Sequence, residues 1–288
     1  MTTPIILIIL FIVLAPIVGG FIAGADRILT AKMQGRVGPP IRQPFYDVAK
    51  LFRKQNLVVN RFHGDYMICF LIFTIASGAL FFGGNNLLLV IFALIVAGVF
   101  LVLAAYSTNS PYALIGADRE LLQMLAAEPM ILLAAVGLYV VTGSFDVYTI
   151  ANFPHAPIIY LPGVFIGLVY VLTIKLRKSP FDLATSHHAH QELVKGLTTE
   201  FAGPTLGYFE IAHWYETVLL LAIIFIFFGS HWICGLIAVL IVYFLEILVD
   251  NINARIKWEL MLVSAWAVTL ILGVGNLMVL YFILHIGA

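Results

Sequence analysis

Eight long apolar runs dominate the chain, separated by polar segments of very unequal length. They fall at residues 4–24, 66–82, 87–106, 121–142, 158–176, 208–228, 231–249 and 260–286. A bilayer core of about 30 Å takes roughly 20 helical residues to cross, and each run comes close to that length. Hydrophobicity within the runs is continuous rather than alternating, so they predict α-helices and not the strands of a membrane barrel. The sixth run is the most interrupted, because Glu210, His213 and Glu216 crowd its start. The first lacks both a basic leading segment and a small-residue cleavage site, and reads as a retained span. The pattern predicts an all-α, polytopic transmembrane protein of about eight spans, with residues 1–288 forming a single integral membrane domain.

Composition agrees with that pattern. The chain is 62% hydrophobic and 10% charged, with a mean hydropathy of +1.05. A soluble domain carries about 25% charged residues, so this chain cannot dress a water-facing surface. Its formal net charge of zero gives no reason to expect a nucleic-acid partner. The two cysteines, Cys69 and Cys234, both lie in apolar runs. An iron–sulfur cluster takes about four thiolates, so any redox centre belongs to another subunit.

Where the charges sit is more telling than their sum. All 15 Lys and Arg fall in or beside segments 25–65, 107–120, 175–212 and 250–259. The connectors on the other side, near 83–86, 143–157 and 229–230, hold none. The positive-inside rule therefore makes the basic segments cytoplasmic and puts both termini on the non-cytoplasmic side.

Three of those segments carry candidate chemistry. In the first, a Gly-Pro-Pro break separates two short amphipathic stretches, and Arg27, Arg36, Arg42, Lys50, Arg53 and Lys54 make it basic. Such a helix can rest on anionic headgroups or serve as a docking loop for a peripheral protein. In the second, Arg119 and Gln123 share a helix face, and Glu120 and Glu128 lie about two turns apart and nearly aligned. A charge at the bilayer centre costs roughly 2.5–3.5 kcal/mol, so Glu128 points to an internal polar pathway. The third holds Asp182, a histidine group at His187, His188 and His190, then Glu192 and Glu200. No neighbouring cysteine completes a zinc pattern, but histidines titrate near neutrality and can relay protons beside carboxylates. Glu210, His213 and Glu216 occupy a sector of about 120° on one helix, and Glu246 and Asp250 stand one turn apart on another. Together these groups form a candidate chain of proton or charge relay residues.

The same segments resemble the membrane subunit shared by respiratory complex I and the membrane-bound [NiFe] hydrogenases. The matching pieces are KMQGRVGP with QPFYDVAKL, SPYALIGADRE with AAEPM, and SPFDLATSHHAHQELVKGLTTEFAG, in that order along essentially the whole chain. The shortened RVGPPIRQP, and EIAHWYE downstream, look most like the Ech-type energy-converting hydrogenases and formate hydrogenlyase. The resemblance implies a coupling subunit that carries no cofactor itself. Its [NiFe] centre and iron–sulfur clusters would lie in hydrogenase large and small subunits and a ferredoxin-like iron–sulfur subunit. An antiporter-like membrane subunit would move the ions across the cell membrane. Asp182, Glu192, Glu200 and Glu128 match acidic positions of the family, and Arg119 a basic one. One departure is plain: His188 and His190 stand where relatives carry glutamates, so a purely carboxylate path does not transfer intact.

The alternative reading is the quinone-chamber subunit of a complex I-like NAD(P)H/ferredoxin:quinone oxidoreductase. A free-standing transporter is a third, disfavoured by the absence of a repeat or of paired broken helices. A passive anchor for a hydrogenase is a fourth.

Overall fold

The computed structural model describes residues 2–55, 60, 62–184 and 195–286. Its elements, in chain order, are α1 (Thr2–Met33), α2 (Gln43–Arg53), α3 (His63–Phe82), α4 (Leu87–Tyr106), α5 (Pro111–Thr142), α6 (Val147–Ala151) and a 3-10 turn at Pro157–Ile159. There follow α7 (Pro162–Lys175), α8 (Pro204–Ile226), α9 (Trp232–Ile252), α10 (Trp258–Val268), a π-helical turn at Thr269–Val274, and α11 (Gly275–Ile286). Among the described residues there is no strand, only isolated bridge positions such as the pair Asn86 and Asp146. The all-α, multi-pass reading is borne out.

Seven helical stretches are long and apolar enough to cross a membrane, the last running from Trp258 through the π turn to Ile283. The eighth expected span is a 14-residue helix, α7. Proline explains its length: Pro157 and Pro162 each lack an N–H, and the chain between them makes only a tight 3-10 turn. At about 1.5 Å per residue α7 covers roughly 21 Å. It still reaches from one end of the bundle to the other. Ile158, before it, donates its N–H to the Phe227 carbonyl at 3.0 Å, and Lys178, after it, meets Asp26 at 2.7 Å.

The first polar segment also differs from expectation. Its leading amphipathic stretch is not separate but continues α1 to Met33, and the second is α2. Residues 111–120 form the opening turns of α5 rather than a loop.

α8 is the most buried span, packed among α1, α2, α3, α7 and α9. The main core joins α4, α5, α7 and α8 through side chains such as Ile91, Met130, Leu138, Val171 and Leu219. By contrast α1, α9 and the last helix leave most of their apolar side chains exposed, among them Ile9, Leu10, Leu240, Ile241 and Ile271. Water would penalise that surface at about 25 cal/mol per Å², whereas lipid tails or partner helices do not.

Two close contacts fix the segments at the two ends of the bundle. A side chain at Gly116 would put its Cβ 2.2 Å from the Leu197 nitrogen, so glycine lets the 195–201 segment lie directly on α5. At the opposite end of the bundle, Asn276 caps α7: its Oδ1 accepts from the Gly163 and Val164 N–H groups at 2.8 and 3.1 Å. Its Nδ2 donates to the Tyr160 carbonyl at 3.2 Å. Asn276→Leu removes a cap on amides that have no alternative partner in lipid. The expected cost is about 0.5–2 kcal/mol, visible as a lower melting temperature of the detergent-solubilised protein.

Candidate functional site

Helix α7 ends on the sequence Lys-Leu-Arg-Lys, and three cations leave that end for three different places. Lys175, in the last turn, forms an ion pair with Glu128 of α5. Arg177 then takes a left-handed backbone, φ +51°, which stops the helix and turns consecutive side chains apart. Its guanidinium grips Glu120 of α5, with Nη2 2.6 Å and Nε 3.2 Å from Oε1, and its Nη1 lies 3.3 Å from Glu216 Oε2 on α8. It also sits over the Phe209 ring, 5.8 Å from the centroid. Burial disfavours its charge, but the Glu120 and Glu216 carboxylates outweigh burial and hold it protonated, above the usual arginine value. His213 Nδ1 stands 3.7 Å from the same Glu216 oxygen.

Lys178 points the other way. Its ammonium is 2.7 Å from Asp26 Oδ2 of α1 and 3.8 Å from Asp250 Oδ2 of α9, over the Tyr243 ring. The Asp250 carboxylate also accepts the Ser179 N–H at 2.8 Å. Beyond it, Arg255 holds Asp182 in a two-pronged pair at 2.9 and 2.6 Å. Glu246 is buried one turn before Asp250.

The segment after α7 is fixed by the expected partners on α5. Gln123 Nε2 donates to the Phe181 carbonyl at 2.5 Å, and Arg119 Nη1 to the Leu183 carbonyl at 3.5 Å. A cavity of about 20 Å³ lies between Glu120, Gln123, Lys175, Arg177 and Glu216. That is room for about one water molecule among groups able to bind it.

The structure thus brings together Glu120, Glu128, Glu216 and His213 in one cluster, and Glu246 and Asp250 in another, with Asp182 beside the second. Glu210 is apart from both. Six residues of helix turn it about 120° from Glu216, so it faces α2. There it lines a groove of about 240 Å³ with Arg27, Asp47, Lys50 and Lys54. Arg27 pairs with Asp47 at 2.6 Å. Burial lowers the pKa of nearby Lys195, Lys54 adds to that, and Glu210 opposes it. Among the described residues Arg36, Arg42, Lys50, Arg53 and Lys54 have no carboxylate within ion-pair distance. Glu200 acts electrostatically on His63 rather than on either cluster. His188, His190 and Glu192, with His187, lie outside the described residues. No set of three or more potential metal ligands converges among those described.

Four participants do not stand out as site residues in the sequence: Lys175, Arg177, Lys178 and Asp26. The signal is there, since three cations within four residues exceed what a topology marker needs. The physical weight of these pairs gives a test. Arg177→Met leaves two buried carboxylates without their cation and is expected to cost about 3–5 kcal/mol, read as lower thermal stability in detergent. Adding Glu120→Gln should recover part of that loss.

Known proteins place the bundle in a lineage. A family model described as NADH dehydrogenase matches residues 5–281. The hydrogenase-4 component C of Escherichia coli K12 is 29% identical over 209 residues, 66% of this chain and 64% of that protein; the chain thus aligns with less than two thirds of that relative's length. A membrane subunit of the NADH-quinone oxidoreductase of Dehalococcoides mccartyi is 26% identical over 288 residues, covering 89% of this chain and 80% of the relative. The fourth subunit of formate hydrogenlyase from E. coli K12 is 28% identical over 66% of each. Among solved structures, the membrane-bound sulfane sulfur reductase, an archaeal respiratory membrane complex, contains a chain 27% identical with a TM-score of 0.84. That match covers 96% of this chain and 99% of the other. These relatives are subunits of oxidoreductase complexes, and the chain belongs to the NADH dehydrogenase family of membrane subunits.

Proposed function

We propose that the chain is the membrane-embedded coupling subunit of an energy-converting [NiFe] hydrogenase. In this reading it docks a ferredoxin-oxidising hydrogenase arm on its cytoplasmic face and relays charge or protons sideways to an antiporter-like subunit. The carrying observation is the buried ion-pair network fed by the end of α7, which links α5 and α8 on one side to α1 and α9 on the other. A tether needs no such network, because each buried ion costs several kcal/mol to desolvate before any pairing repays it. The hydrogenase relatives support the choice of arm. The one-sided basic loops support a cytoplasmic position for 25–65, 107–120, 175–212 and 250–259, with both termini outside.

The relay in this reading comprises Glu120, Glu128, Arg119, Asp182, Glu216, His213, Glu246 and Asp250. Lys175, Arg177, Lys178 and Asp26 join it on their contacts. His188, His190, Glu192 and Glu200 complete the relay in this reading on their place in the sequence. The [NiFe] centre and iron–sulfur clusters belong to the partner subunits. Moving one charge across 100 mV costs about 2.3 kcal/mol, so an electrical signal must pass through groups whose charges respond to one another.

A second reading is the quinone-chamber subunit of a complex I-like oxidoreductase. It is favoured by the longer alignment with the NADH-quinone oxidoreductase relative and by the groove between α2 and α8. The subunits that co-purify after mild detergent extraction separate the two: a [NiFe] large subunit supports the first, and quinone-dependent activity of the purified complex supports the second.

Two expected outcomes follow. Glu128→Gln should leave the complex assembled but lower ion pumping in sealed vesicles; unchanged pumping removes Glu128 from the path. Reversing Lys50, Arg53 and Lys54 to glutamate should release the peripheral arm at lower salt than the native protein, because exposed charges act over about 10 Å at 0.1 M salt. Sedimentation of membranes at increasing ionic strength measures it.

A further inference from the structure

Helix α2 has three different sides. On the first, Asp47, Lys50, Leu51 and Lys54 line the groove against Arg27 of α1 and Glu210 of α8. On the second, Phe45 and Phe52, two turns apart, are pressed against the spans. The Phe45 ring lies on Gly20 of α1, 5.2 Å from the Phe21 ring and 5.3 Å from Trp214. Phe52 rests on Gly207 of α8 and meets the Tyr208 ring edge-on at 5.4 Å. Trp214 stands about 15 Å along α8 from its start at Pro204, so Phe45 points toward the bilayer interior.

The third side is Arg42, Tyr46, Ala49 and Arg53. At about 100° per residue these four fall within about 60° of one another, next to the side of Phe45 and away from that of Leu51. All four are exposed, Tyr46 by 60%, and no side chain among the described residues bonds or pairs with theirs. The side carries one sign of charge. Asp47, the sole acid of α2, faces the groove, where Arg27 holds it at 2.6 Å and Gln43 at 2.9 Å. Lys50 and Lys54 stand roughly opposite Phe45 and Phe52, and so point away from the bilayer.

A side beside the membrane-directed phenylalanines, turned away from the bundle, lies at the height of lipid headgroups. An arginine there rests its stem on apolar surface while its guanidinium stays in the polar layer, and its planar fork matches a phosphate with two parallel bonds. Tyrosine favours the same depth. Below, Val18 and Phe21 of α1 are exposed and offer apolar surface to acyl chains. We propose that this side of α2 binds anionic phospholipid headgroups, with Arg42 and Arg53 taking the phosphates and Tyr46 seated between them. The basic segment is thereby divided: Arg42 and Arg53 serve the bilayer, and Lys50 and Lys54 a peripheral protein. The lipid site rests on the multi-pass fold alone, whereas the assignment of the two lysines rests on the proposed docking.

A photoreactive phosphatidylglycerol, placed with the intact complex in nanodiscs, tests the site through peptide mass spectrometry of the crosslinks. Crosslinks should fall on α2 and beside Phe21, and unlabelled phosphatidylglycerol should suppress them more than phosphatidylcholine does. Each arginine near an anionic surface is worth about fivefold in affinity, so Arg42→Gln with Arg53→Gln should raise the lipid concentration for half-labelling about thirtyfold. Lys50→Gln with Lys54→Gln should leave that labelling unchanged, whatever it does to the peripheral arm. Equal suppression by the two lipids, or native labelling in the double Gln variant, overturns the site. So does displacement of the labelled lipid by inorganic phosphate, which gives the arginines to a soluble anion. Loss of the arm from the Arg42→Gln, Arg53→Gln variant with labelling intact gives this side to a protein and overturns it too. Where that variant fails to assemble, Ala49→Glu sets an anion between the arginines at an exposed position, and undiminished labelling there overturns the site.

Discussion

An ion taken out of water into a helical bundle has to find its counter-ion there, and the architecture follows from that constraint. Five carboxylates in this chain are drawn into or against apolar helices at Asp26, Glu120, Glu128, Glu216 and Asp250. The cations that meet them come from four consecutive residues, 175 to 178. On a regular helix Lys178 would stand only about 60° round from Lys175 and share its face. Ending α7 early, and turning Arg177 into the left-handed region, sends Arg177 toward α5 and α8 and Lys178 toward α1 and α9.

The shortness of α7 is therefore part of the site rather than an imperfect span. Its N-terminal end begins late because of Pro157 and Pro162, and it is held there by Asn276 from beyond the π turn of the last helix. Its other end stops where the acids are. The segment that follows is then locked by Gln123, Arg119 and Arg255, so it is mechanically continuous with the buried charges. A displacement of that segment would act on Arg177 and Lys178 over a few residues of backbone, Phe181 standing three residues beyond Lys178.

Much of this is legible in the sequence, and the limits have physical causes. The long spans declare themselves by continuous hydrophobicity, and Glu120 with Glu128, or Glu246 with Asp250, by helical spacing alone. Spacing along one helix says nothing about which helix stands opposite. For that reason Glu210 looks like a companion of Glu216, whereas the two face α2 and α7 respectively. Lys175, Arg177 and Lys178 read as topology charges because basic residues at a span's end usually serve only that purpose. Asp26 is hidden beside Arg27, whose own partner is Asp47. The decisive local event, a left-handed arginine, has no compositional signature, since glycine is the residue that normally announces that conformation.

The two halves of the network differ in a way that bears on what a relay requires. Around Arg177 every carboxylate has a cation, and breaking any pair strands a buried charge; such a cluster resists change and transmits position. Around Lys178 one ammonium serves two carboxylates, Asp26 and Asp250, and buried Glu246 lies beyond ion-pair distance, so this half of the network holds more acids than cations. Relatives assigned to a hydrogenase, a formate hydrogenlyase, a quinone oxidoreductase and a sulfane sulfur reductase share this membrane fold.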